Sequence, residues 1–241
     1  MSIYIERCPE MAKFASIAYL DELEASKHFE KAGFSNHIFW DINGAQCHAV
    51  WDDEQYILAF RGTEPDEMSD VLADLNAFPS KGVSGGWVHI GFQRELEKVW
   101  DAIKEHRAEH ATKKLFITGH SLGGAMATLA ASRFNLIDKV ECLYTYGSPR
   151  VGTRSFVKSC KFLHYRHKNN NDIVTAVPLV LMGYKHHGTL RYINFYGNIR
   201  KLTMWQAIKD KWRGYSSGLL DGAKDHSITE YFKCLAKVER K

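Results

Sequence analysis

The spacing of apolar positions along the chain changes several times, and each change marks an element. Residues 92–110, "FQRELEKVWDAIKEHRAEH", put Phe92, Leu96, Val99, Trp100 and Ile103 on one face with charges opposite. That 3.6-residue repeat predicts a helix covering a sheet. An earlier helix is expected across Met11–Leu23. Residues 46–63, "QCHAVWDDEQYILAFRGT", read as a hairpin turning at "DDE", with "YILAF" apolar enough for a central strand buried on both faces. Further on, "KKLFITG" (113–119) reads as a strand, "LGGAMATLAASRFN" (122–135) as a helix rich in small residues, and "VECLYTYGS" (140–148) as a strand. "KFLHYRHKNNND" (161–172) is a strand ending in a polar loop, and "TLRYINFYG" (189–197) is another strand. Helices are expected over 199–213 and 227–238. Strands alternating with helices predict an α/β fold, a mostly parallel central sheet with helices on both faces. Its functional crevice should lie at the carboxyl ends of the strands. No repeat or linker interrupts the pattern, so residues 1–241 are expected to form a single domain.

One turn in this pattern carries chemistry. Gly119-His120-Ser121-Leu122-Gly123 fits G-x-S-x-G between a strand and a helix, the setting that presents serine as a nucleophile on a sharp turn. The bland reading, a turn that happens to hold Ser121, is opposed by that context. A serine hydroxyl needs a base and the base needs an acid, here in the chain order serine, acid, histidine. Asp138 and Glu141 precede a strand and so sit at the wrong end of the sheet, whereas Asp172 follows one. Of the later histidines, His186 and His187 precede a strand, while His226 lies in a loop feeding the last helix. His226 is the better base, with His186 as the alternative. His120 sits in the elbow itself, its side chain directed away from the serine oxygen. An oxyanion needs preorganised donors, expected from the backbone N–H of Leu122 and from Thr63 after "AFRG".

Composition narrows the classes without adding one. A net charge of +4 over 241 residues is too mild to argue for nucleic acid. Five widely spaced cysteines without C-x-x-C suggest neither a zinc site nor a disulfide framework. The beginning, "MSIYIERCPEMAKF", lacks a basic segment followed by an apolar one, and no apolar run approaches the length of a membrane span. The expectation is a soluble, cytoplasmic protein, although a secreted chain trimmed of its leader would read the same.

In combination these segments resemble the class 3 (fungal-type) lipases of the α/β-hydrolase fold. "AFRGT", "VHIGF", "GHSLGGA", "TYGSPRVG", "NNNDIVTAVP", "GYKHHG" and "DHSITEY" match that family's blocks in order, across about residues 58–232. The resemblance implies Ser121 as nucleophile, Asp172 as acid and His226 as base, with Thr63 and Leu122 as oxyanion donors and no metal or organic cofactor. It assigns His186 to a block outside the catalytic set. The implied activity is hydrolysis of lipid or acyl esters in the manner of a triacylglycerol lipase. Phospholipase A1 and small or aromatic acyl esterase (feruloyl esterase-like) activities are the alternatives, and a catalytically silent lipid-binding module is the reading from another class. No protein partner is evident.

Two segments bear on the substrate. In residues 64–79, Met68, Val71, Leu72 and Leu75 fall at helical spacing among acids. They form either a lid whose apolar face meets acyl chains or a small helix covering the core. In residues 199–220, Leu202, Trp205, Ile208 and Trp212 share one face, while Arg200, Lys201, Lys209, Lys211 and Arg213 supply positive charge. Such a helix either packs on the sheet or lies against a lipid interface, with Trp205 and Trp212 beside the acyl chain.

Overall fold

A computed structural model of the chain describes residues 3–63, 78–200 and 224–237. Its main sheet comprises β1 (Asn36–Ile42), β2 (Ala45–Trp51), β3 (Gln55–Phe60), β6 (Lys114–His120), β7 (Val140–Tyr146), β9 (His164–Asn169), β11 (Thr189–Ile193) and β12 (Ile199–Arg200), in that spatial order. β3, β6, β7, β9 and β11 run parallel to one another, and the flanking pairs are antiparallel. A smaller sheet joins β10 (Tyr184–Lys185), β8 (Gly152–Thr153), β5 (Trp87–His89) and β4 (Pro79–Lys81).

The central strands are apolar at successive positions because both of their faces are covered. Tyr56, Leu58 and Phe60 pack with Leu115, Ile117 and Leu143 against α3 (Ile90–Glu109) and α4 (Leu122–Phe134). The intervening Ile57, Ala59, Phe116 and Tyr144 face α1 (Cys8–Ile17), α2 (Glu22–Glu30) and α6 (Ile228–Ala236). α5 (Arg154–Ser159) lies beside the smaller sheet. The five cysteines are buried and free. Among the described residues, no helix is long and apolar enough to cross a membrane.

Several expected elements differ in extent. The single helix over Met11–Leu23 is two helices, because Asp21 is extended and its carboxylate accepts the Glu24 N–H, capping a new start. β1 lies outside the expected strands, although Asn43 and Gly44, with φ of 52° and 81°, make the tight turn that Asn-Gly favours. The helix over 199–213 does not begin at Ile199. Ile199 and Arg200 pair with Ile193 and Tyr192 as a strand, since the Asn194 carboxamide accepts the N–H groups of Tyr196 and Asn198 and turns the chain back. The remainder of that segment, with Trp205 and Trp212, lies outside the described residues, as do Met68, Val71, Leu72 and Leu75 of the expected lid.

Phe14 ties the N-terminal helices together, fully buried and edge-on to Phe29 and Phe34 with ring centroids 5.5 Å from each. Phe14→Ala should lower the unfolding free energy by about 3–5 kcal/mol. Urea titration should show this as a lower midpoint at unchanged m-value.

Candidate active site

The parallel ladders set the exits of four strands side by side. Phe60 pairs with Gly119, Gly119 with Thr145, and Tyr146 with His167. At the exit of β6 the chain turns through Ser121, whose φ of 56° and ψ of −128° are unusual for a residue with a side chain. Two observations hold that turn in place. The Ser121 N–H donates to the Tyr146 carbonyl at 3.0 Å, and α4 starts hard against its neighbours. A Cβ on Gly123 would overlap the Phe60 carbonyl oxygen and approach the Arg61 carbonyl carbon to 2.7 Å, while one on Gly119 would overlap the Gly123 carbonyl. Only glycine allows strand, turn and helix to approach this closely.

The three side chains chosen from the sequence meet here. The Ser121 hydroxyl lies 2.9 Å from His226 Nε2, and His226 Nδ1 lies 3.0 Å from both Asp172 carboxylate oxygens. All three residues are buried. With a carboxylate facing Nδ1, that nitrogen carries the proton and Nε2 presents its lone pair to the serine hydroxyl. Asp172 is itself held, accepting the Val174 N–H at 2.9 Å and the Tyr231 hydroxyl at 2.6 Å. The loop carrying His226 is anchored through Asp225, whose carboxylate accepts the Asn170 amide at 2.8 Å and the Asn171 N–H at 3.1 Å.

Leu122 is the first residue of α4, where helical N–H groups lack intrahelical acceptors. Thr63 follows Gly62, and a Cβ on Gly62 would lie 3.1 Å from the Ser121 Cβ, so the β3 exit passes directly beside the serine. His186 is elsewhere, donating from Nε2 to the Thr175 carbonyl at 2.9 Å, and His187 pairs with His164 at 3.1 Å. Asp138 binds the Arg107 guanidinium at the other end of the sheet, and Glu141 accepts the Tyr4 hydroxyl.

The site also rests on polar supports that were not among the expected site residues, chiefly Tyr19, His120 and Tyr231. His120 Nε2 lies 2.6 Å from the His226 carbonyl, which can only accept, so that nitrogen bears the proton. Nδ1 is then the acceptor for the Tyr19 hydroxyl at 2.6 Å. This arrangement requires a neutral ring, and burial, followed by the nearby His226, pushes the His120 pKa well below its ordinary value. The only signal in the sequence was a histidine placed next to the serine.

A family model described as Lipase (class 3) matches residues 57–182. The chain is 32% identical over 197 residues to "Toxin TseL" of Vibrio cholerae, covering 64% of this chain and 31% of the toxin. It is 34% identical over 169 residues to a lipase of Rhizopus niveus, covering 64% of this chain and 42% of that protein. It thus spans less than half the length of either relative. A solved MDLA structure from Penicillium cyclopium overlays with a TM-score of 0.65 at 23% identity, over 86% of each chain.

Neutral burial of histidines has a consequence for stability. Burial pushes His48 and His167 down to about 3, and both are fully buried, while His120 is buried with its pKa likewise well below the ordinary value. An unfolded histidine takes up a proton below about pH 6.5, so between about pH 3 and 6.5 the unfolded chain binds more protons than the folded one. Stability should therefore be full above pH 6.5 and fall as pH drops, by up to about 1.4 kcal/mol per pH unit for each such histidine. Denaturant unfolding at pH 7.5 and pH 5 measures this, and equal stability at both would contradict neutral burial.

Proposed function

Because the chain belongs to the class 3 lipase family and has its α/β-hydrolase fold, we propose that it hydrolyses carboxylic esters of lipids through an acyl-enzyme. The observation that carries this reading is the unbroken hydrogen-bonded line from the Ser121 hydroxyl through His226 to Asp172, buried at the carboxyl edge of the sheet. Ser121 attacks the ester carbonyl while His226 Nε2 takes its proton. Asp172 holds the ring in the correct tautomer and stabilises the imidazolium. The N–H of Leu122 and the donors of Thr63 receive the oxyanion. His226 returns the proton to the leaving alcohol, and water then releases the acid by the same steps.

The substrate class is an acyl ester with an apolar chain, in keeping with the Rhizopus niveus relative's name of lipase and that of a second relative, a mono- and diacylglycerol lipase A of Penicillium cyclopium. The lid-like segment 64–79 and the basic, tryptophan-bearing segment 199–220 would supply the contact with a lipid interface.

Ser121→Ala should lower kcat on p-nitrophenyl esters by about 10⁶-fold with the fold retained, and Asp172→Asn by about 10⁴-fold. Full activity in Ser121→Ala would refute the mechanism. Turnover of triacylglycerol, diacylglycerol, phospholipid and feruloyl ester by the wild-type chain ranks the substrate classes. Replacing Lys209, Lys211 and Arg213 together with Gln should reduce hydrolysis on anionic vesicles and leave a soluble short-chain ester unaffected. Equal rates on both substrates would remove the docking role.

A further inference from the structure

At the far rim from Ser121, α3 ends in "HRAEH", which puts His106, Glu109 and His110 at i, i+3 and i+4 on one face of the helix. One donor atom from each of the three lies within 4.8 Å of the other two. We propose that this cluster binds a borderline divalent transition-metal ion, of the Zn²⁺ or Cu²⁺ class, separately from the ester-hydrolysing site. Two imidazoles and a carboxylate suit these ions, whereas Mg²⁺ and Ca²⁺ prefer all-oxygen shells.

What distinguishes His106 and His110 from scattered surface histidines is how the two rings are held. His110 Nδ1 lies 3.0 Å from the His106 carbonyl, so it donates there and Nε2 keeps its lone pair. His106 Nδ1 lies 2.7 Å from the Tyr56 hydroxyl. Burial raises the Tyr56 pKa, so the phenol keeps its proton, and its oxygen accepts when His106 takes the tautomer with Nε2 free. Both rings therefore have an outer partner on Nδ1 that orients Nε2, the arrangement common to metal-ligating histidines. The rings stack at 4.6 Å and 27°, and the Trp51 indole packs against both, at 4.9 Å from His106 and 4.7 Å from His110. Glu109 is exposed and free to swing onto an ion shared by the two rings. Three protein ligands would leave a fourth position for water.

The ion would clamp the last turn of α3. Tyr56 pairs with Leu115, five residues before His120, which puts the cluster about 17 Å along β6 from the serine turn. Its effect should therefore appear in stability rather than in ester turnover.

The test uses the full chain, dialysed against chelator. Titration with Zn²⁺ should give one saturable site and, at a hundredfold excess over Kd, raise Tm by at least about 5 °C, while Mg²⁺ has no effect. Cu²⁺ should quench indole emission at the same stoichiometry, and Trp51→Phe should remove most of that quench while keeping the Zn²⁺ shift. His106→Asn/His110→Asn should abolish both responses, and His28→Asn should leave both intact, with near-UV circular dichroism confirming that each variant is folded. Absence of saturable binding below 1 mM, or binding unchanged in the double variant, overturns the proposal.

Discussion

The parallel register across β3, β6, β7 and β9 is the constraint on which the site depends. Pairing Phe60 with Gly119, Gly119 with Thr145 and Tyr146 with His167 brings four chain exits to one edge. A strand's side-chain period is two, so a slip of one residue would send the buried faces to the wrong cores and shift the exits apart. The two apolar layers resist such a slip. Tyr56, Leu58 and Phe60 must meet α3 and α4 while Ile57 and Ala59 meet the terminal helices.

That register explains how a strained turn persists. Ser121 adopts a positive φ between a strand and a helix that touch through glycine backbone, and a hydrogen bond from its N–H ties it to β7. Strain of this kind costs on the order of 1–3 kcal/mol and survives only where surrounding packing over-determines it. The return is a hydroxyl placed at the sheet edge, next to the first N–H groups of a helix.

The partners of Ser121 come from loops, and loops need their own anchors. Asp225 grips the Asn170–Asn171 turn, Tyr231 reaches from α6 to Asp172, and His120 holds the backbone of His226 from below. Tyr19, from the segment between the first two helices, completes this support from more than a hundred residues away. The terminal segments thus do more than cover one face of the sheet, since Tyr231 on α6 holds the acid and Tyr19, through His120, supports the backbone of the base.

The hydrophobic periods and the Gly-His-Ser-Leu-Gly turn were enough to place β2, β3, β6, β7, β9 and β11, the helices α3, α4 and α6, the serine and the side of the sheet on which its partners had to lie. Those features are local, written in residues a few positions apart. The choice of His226 over His186 could also be argued from where each lies relative to a strand, because a parallel sheet makes strand exits and strand entrances distinguishable. Tertiary structure decided the rest. Tyr19, His120 and Tyr231 have no spacing pattern that links them, and the tautomer of His120 follows from a carbonyl 106 residues away. The break at Asp21 and the short β12 likewise reflect a cap and a turn that win over helical periodicity. Hydrogen bonds between groups distant in the chain become enforceable only once burial removes water as their competitor, and no local pattern records them.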